Sequence, residues 1–137
     1  MANIDDIRSL DLFSDCHPDE LAFASSLLTS VDVAPDRRLI AEGQPPQQFL
    51  IIAEGEALVS RQIEGTVTPV ATLRTGSFVG EMGLLERTAC SATVYSSRQV
   101  RLLAASRAEF HHLASIPSVG RRLRTVATQR FEENHAA

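Results

Sequence analysis

Between residues 33 and 105 the chain is a succession of short runs rich in branched and aliphatic residues, broken at close intervals by glycine and proline. The runs are "RRLIAEG", "QQFLIIAEGEALVSRQI", "VTPVATLRTG", "SATVYSS" and "QVRLLAAS". Short runs rich in branched residues, separated by these turn signals at regular intervals, suggest the strands of a β-sandwich or barrel. "EGT" at 64–66 separates two runs and suits a hairpin, because Gly65 adopts positive φ without steric cost. Gly43, Gly55 and Gly76 mark other corners, where tight bends between strands account for them.

The flanks follow a different period. In "NIDDIRSLDLF", Ile4, Ile7 and Leu10 recur at helical spacing behind acidic residues that suit a helix N-terminus. "HPDELAFASSLLTSV" places Pro18 at a first helical position and Leu21, Ala24 and Leu28 on one face, predicting a second helix that ends near Ser30. After the last strand, Ser106 and Glu109 form a capping-box pattern, and Val119, Leu123 and Val126 recur helically behind Pro117. The organisation expected is one domain over 1–137, with helices over 4–30, strands over 33–105 and helices over 106–134. A chain of 137 residues, 44% hydrophobic, can bury roughly two-thirds of its unfolded surface around one core.

Charge and cysteine usage exclude several functions. A formal net charge of -4 opposes general nucleic-acid binding, which needs a positive field over the contact face. The basic stretch "RRLRTVATQR", Arg121 to Arg130, spreads its arginines around a helix as a solvated face. Cys16 and Cys90 show no metal-ligand spacing, the N-terminus lacks a secretion-signal pattern, and no apolar run approaches the about 20 residues that span a bilayer. The expectation is a reduced, cytoplasmic protein that does not cross a membrane. His111 and His112 are adjacent on a helix and point apart, so no metal site and no catalytic residue is assigned.

The stretch with chemical content is "GSFVGEMGLLERTACSATV", residues 76–94. It reads as strand, tight turn, short helix and strand. Gly80 and Gly83 permit close backbone approach, and the first amides of the short helix have no intrahelical acceptors, which suits an anion cradle. Taken alone, the spacing is a weak signal, and an ordinary connecting turn is the commoner reading of it.

From the first helix to the last, over residues 4–131, the chain resembles the cyclic nucleotide-binding domain family of catabolite activator-like proteins. "LDLFSDCHPDEL" is similar to the family's leading helices, "LIAEGQPPQQFLIIAEGEALV" to a strand pair with two corner glycines, and "VATLRTGSFVGEMGLL" to the approach to its phosphate-binding cassette. The resemblance implies a mainly β fold, an eight-stranded double-sheet jelly roll flanked by helices at both ends. It also implies that Glu81 accepts a hydrogen bond from a ribose 2′-hydroxyl, and that Gly80 and the backbone at Met82, Gly83 and Leu84 embrace the sugar and cyclic phosphate. Ser91 and Ala92 match the small residues that follow the family's phosphate-binding arginine, whose own position falls on Cys90. Placing Arg87 there instead would shorten the cassette by three residues and force an insertion of equal length before "SATVYSSRQVRLL", whereas the ungapped register keeps both sides aligned.

A thiol cannot replace a guanidinium at a phosphate. Losing a desolvated, charge-assisted contact costs on the order of 2–5 kcal/mol, which would take a roughly micromolar site to tens of micromolar or weaker. The implied function is a noncatalytic regulatory domain that senses cAMP, cGMP or a related small molecule with weakened or altered binding, holds no cofactor, and has Arg87 as a candidate substitute cation. Two alternatives stand beside it: a degenerate domain acting as a protein-interaction module, and a redox sensor built on Cys90 with a lowered thiol pKa. No helix-turn-helix follows the final helix before "RFEENHAA", so output is expected through an unidentified protein effector or through a homodimer of that helix. Val119, Leu123 and Val126 fit either a helix-pair seam or packing onto the strands.

Overall fold

In the computed structural model, which describes residues 2–135, the apolar runs become eight strands. They are β1 (Thr29–Val33), β2 (Arg38–Ile40), β3 (Gln48–Glu54), β4 (Ala57–Ile63), β5 (Thr66–Leu73), β6 (Phe78–Val79), β7 (Thr93–Ser96) and β8 (Val100–Ser106). The helices are α1 (Ile4–Ile7), α2 (Pro18–Ser26), α3 (Glu81–Glu86), α4 (Arg107–Ala114) and α5 (Pro117–His135). The strands form two four-stranded antiparallel sheets, ordered β1-β8-β3-β6 and β2-β7-β4-β5. This is the expected mainly β double sheet with helices at both ends.

β3 explains how the layers stack. Its run "FLIIA" is buried on both faces, with Phe49 and Ile51 in a cluster that includes the helices and Leu50 and Ile52 in a cluster between the sheets. The partner strand β8 divides likewise, sending Leu103 and Ala105 to the helical side and Leu102 and Ala104 to the inter-sheet side. Phe110 of α4 seats against Phe49 with ring centroids 4.9 Å apart, and Phe78 meets the same ring at 5.6 Å. Val119 and Leu123 of α5 are fully buried in this helix-side core and Val126 packs against it. That burial turns the helical stripe into the helix-side core of its own chain, where α5 meets α3, α4 and the turn at Asp11–Phe13, so Val119 and Leu123 are not exposed for a helix-pair seam.

The local signals read in the sequence recur as geometry. Glu64 and Gly65, both at positive φ (52° and 80°), make the tight β4–β5 hairpin. Ser106 and Glu109 close the capping box of α4. One boundary differs from expectation: α2 stops at Ser26, and Thr29–Val33 is a strand, not a helical tail. The hydroxyls of Ser25 and Ser26 bond back to the carbonyls of Ala22 and Phe23, and "TSVDV" pairs along its whole length with β8. Serine competes with the helix for backbone acceptors, and the alternating β-branched residues beyond it suit an edge strand.

Candidate functional site

The chain leaves the first sheet at β6 and joins the second at β7, and α3 lies in that crossing. Gly80 makes the turn at φ 98°, where a Cβ would stand 2.5 Å from the Gln48 carbonyl oxygen. Glycine is therefore required there on two grounds, backbone conformation and space. The six-residue α3 begins at Glu81 with its first amides lacking intrahelical acceptors, and an acidic side chain in that first turn suits the helix dipole. It ends at Arg87, whose φ of 57° turns the chain back while the Thr88 amide donates to the Gly83 carbonyl at 3.1 Å. At Gly83 a Cβ would meet that loop (Thr88 oxygen, 2.9 Å) and Pro46 (3.1 Å), so this glycine makes room for the protein's own chain.

Beside α3 lies a cavity of about 310 Å³. The second sheet provides its apolar floor through Val59, Val70, Leu73 and Val94, Gly80 and Glu81 form the α3 side, and Cys90, Ser91 and Ala92 the opposite rim. Glu81 is fully buried. Its Oε2 accepts no hydrogen bond in the structure, although the residue has another interaction within the chain. The Cys90 amide donates to the Gln44 carbonyl at 2.9 Å, and its carbonyl accepts from the Gly43 amide at 2.8 Å, so the rim is pinned to the corner after β2.

Burial pushes the Cys90 thiol above its ordinary value, outweighing a hydrogen bond with its own backbone that acts the other way. This corrects the redox-sensor expectation, which required a lowered pKa: a thiol shifted upward carries less thiolate at neutral pH.

The expected residues divide between two sides of α3. Gly80, Glu81, Gly83, Cys90, Ser91 and Ala92 meet at the cavity, while Leu84 is buried in the helix-side core. The Met82 side chain lies outside the described residues. Arg87 lines a second cavity, of about 460 Å³, with Pro46, Arg107 and His111. It is not among the residues bounding the first. The cation there, among the described residues, is Arg61 of β4, whose Nε donates to the Ser91 carbonyl at 3.2 Å. Sequence reading missed it. The available signal was the strand's alternation, which places an arginine on the same face as Ala57 and Val59. Among the described residues no cluster of His, Cys, Asp or Glu could hold a metal ion, and no helix is long and apolar enough to cross a membrane.

Two four-stranded sheets with a short helix at the crossing enclose, between that helix and the second sheet, a cavity of the size that small molecules occupy. The sequence matches the model of the cyclic nucleotide-binding domain over residues 30–116, and the chain belongs to that family. It is 28% identical over 126 residues to the acetyltransferase Pat of Mycolicibacterium smegmatis, covering 92% of this chain and 38% of that protein. To a cAMP-dependent protein kinase regulatory subunit of Yarrowia lipolytica it is 30% identical over 107 residues, covering 78% of this chain and 28% of the relative. The crystal structure of the Thermus thermophilus catabolite activator protein superposes with a TM-score of 0.81 at 26% identity, over 90% of this chain and 59% of that one. The chain thus spans well under half the length of these two curated relatives.

Proposed function

We propose that this domain is a noncatalytic regulatory sensor that takes a cyclic nucleotide, cAMP or cGMP, into the 310 Å³ cavity beside α3. The observation that carries the reading is the meeting, in one cavity of a chain of this family, of the buried Glu81 with Gly80 on one side and Cys90, Ser91 and Ala92 on the other. Glu81 receives the ribose 2′-hydroxyl, the backbone from Gly80 through Met82 and Gly83 to Leu84 surrounds the sugar and cyclic phosphate, and Ser91 and Ala92 stand on the phosphate side. The volume lies at the small end of ligand sites, which run from about 300 to 1,000 Å³. That the Yarrowia relative is named a cAMP-dependent regulatory subunit supports this ligand class. The signal leaves through a separate protein effector or a further segment of a longer chain; this chain covers 38% of the acetyltransferase relative.

Affinity is weakened because Cys90 stands at the arginine position. Calorimetric titration of the protein with cAMP and cGMP should show binding weaker than about 10 µM, and Cys90→Arg should tighten it by about tenfold to a thousandfold. Glu81→Ala in the Cys90→Arg background should then remove the gain. A Cys90→Arg protein that folds normally and gains nothing for either nucleotide would favour the interaction-module reading instead.

A further inference from the structure

The second cavity, of about 460 Å³, is one-sided in charge. Arg87, Arg107 and His111 line it, and among the described residues no aspartate or glutamate does. In a chain whose formal net charge is -4, that convergence of bases runs against the composition. The nearest carboxylates along the chain do not neutralise it from within. Glu86 does not line the cavity, and Glu109 closes the α4 capping box by accepting from the Ser106 amide at 2.9 Å.

Both arginines stand where local backbone physics favours another residue. Arg87 caps α3 at φ 57°, a left-handed conformation that glycine takes with least strain, and its side chain makes no hydrogen bond or ion pair with a described residue. Arg107 is the first residue of α4, the end of a helix at which the macrodipole disfavours a cation. Its Nη2 donates to the Pro46 carbonyl at 2.9 Å, which holds the guanidinium at the cavity wall. It makes no other such contact with a described residue, so N–H donors remain for a ligand. His111 follows four residues later on the same face of α4. Two departures from local preference that meet at one cavity are the pattern of a binding site, since the fold alone gains nothing from either.

The ligand that suits these groups carries a phosphoryl dianion. A phosphomonoester has a charge of about −1.5 to −2 at neutral pH and three terminal oxygens, enough to accept from two guanidinium forks at once. A single carboxylate brings one charge and two oxygens. Pro45, Pro46 and Leu84 supply an apolar wall for the remainder of the molecule. We propose that this cavity is a second ligand site, which binds the phosphoryl group of a small phosphomonoester between Arg87 and Arg107. It lies across α3 from the cavity that Glu81 lines and stands independently of the cyclic-nucleotide reading.

The probe is phenyl phosphate, followed through backbone amide NMR spectra, with benzyl alcohol as its neutral counterpart and benzoate as its carboxylate. The proteins are the wild type, Arg87→Gly, Arg107→Gln and, as a control for overall charge, Arg98→Gln between β7 and β8, outside the cavity. Phenyl phosphate should saturate with shifts centred on 43–46, 83–89 and 107–111, while benzyl alcohol does not saturate over the same range. Arg87→Gly and Arg107→Gln should each weaken it by about fivefold to twentyfold, Arg98→Gln by less than about twofold, and benzoate should bind at least about fivefold more weakly. Because glycine suits the left-handed cap, Arg87→Gly should not lower the ligand-free thermal midpoint, which separates lost binding from lost folding. Arg107→Gln carries the test if Arg87→Gly does not fold. The proposal falls if phenyl phosphate produces no saturable shifts at these residues, or if neither cavity variant weakens it. It falls equally if Arg98→Gln weakens it as much as the cavity variants do, or if benzyl alcohol binds as well. Benzoate binding as tightly as phenyl phosphate would overturn the phosphoryl assignment. Shifts centred on 80–81 and 90–92 would seat the probe in the first cavity and remove the second site, with the cyclic-nucleotide reading left standing.

Discussion

The two sheets are built to different standards of burial. In the first, β3 and β8 are covered on both faces, by the helices outside and by the other sheet inside, so Phe49, Ile51, Ile52 and Leu103 are all fully buried. In the second, only the inner face is covered. Leu58 and Tyr95, paired across β4 and β7, stand outside with Val67, each at least 41% exposed. The cavity belongs to the thinner sheet. A floor covered on one side can adjust to a ligand at little cost in packing, while the doubly covered sheet holds the origin of α3 in place through β6.

The sharpest way to break this comparison is to truncate the ring at the centre of the thick side. Phe49 is fully buried between Phe78 and Phe110, so Phe49→Ala should destabilise the domain by about 3–5 kcal/mol in urea unfolding. A loss below about 1 kcal/mol would mean that the first sheet is no more tightly packed than the second.

This asymmetry also decides what could be read from sequence. The alternating and continuous apolar runs gave the strands, because period and β-branching follow from which faces are buried. The β4–β5 turn and the α4 cap were legible because they depend on residues adjacent in the chain, Glu64–Gly65 and Ser106–Glu109. β1 was not, since "TSVDV" follows a helix without a glycine or proline break and becomes a strand by pairing with β8, about seventy residues away. Of the residues that line the cavity, Gly80, Glu81 and Ser91 lie in one contiguous stretch that the family resemblance singles out, whereas Arg61 comes to the rim only once β4 is laid beside β7. Gly83 was legible as a close approach, but its nearest neighbours are Thr88 and Pro46 of the same chain.

The second sheet is fastened at its edge by polar contacts where apolar ones are few. Ser96 of β7 is 1% exposed, and its hydroxyl donates to the Ala34 carbonyl at 2.7 Å while accepting from the Arg37 amide at 2.9 Å. These bonds hold the corner between β1 and β2, in which Asp36 takes a left-handed φ of 62°. Ser96→Ala removes both bonds from a corner whose other members, Ala34 and Arg37, are exposed and can turn to water, so the expected loss is about 1–2 kcal/mol, the worth of two ordinary hydrogen bonds. A neutral result would show that the edge is held by its backbone pairing alone.

The smallest effect is expected on the outer face of the same sheet. Val67 lies on the edge strand β5, opposite Gln62, and is 63% exposed. Val67→Thr keeps the branched β-carbon that suits a strand and exchanges a largely solvated methyl for a hydroxyl. The change in unfolding free energy should stay within about 0.5 kcal/mol. That near-neutral value depends on the face being open to water. If the substitution instead costs more than about 1 kcal/mol, and the midpoint of the wild type rises with protein concentration while that of the variant does not, the outer face is covered by a second copy in solution. The contrast between the sheets would then belong to the single chain and not to its assembled form, and the floor of the cavity would be buried on both sides as the first sheet is.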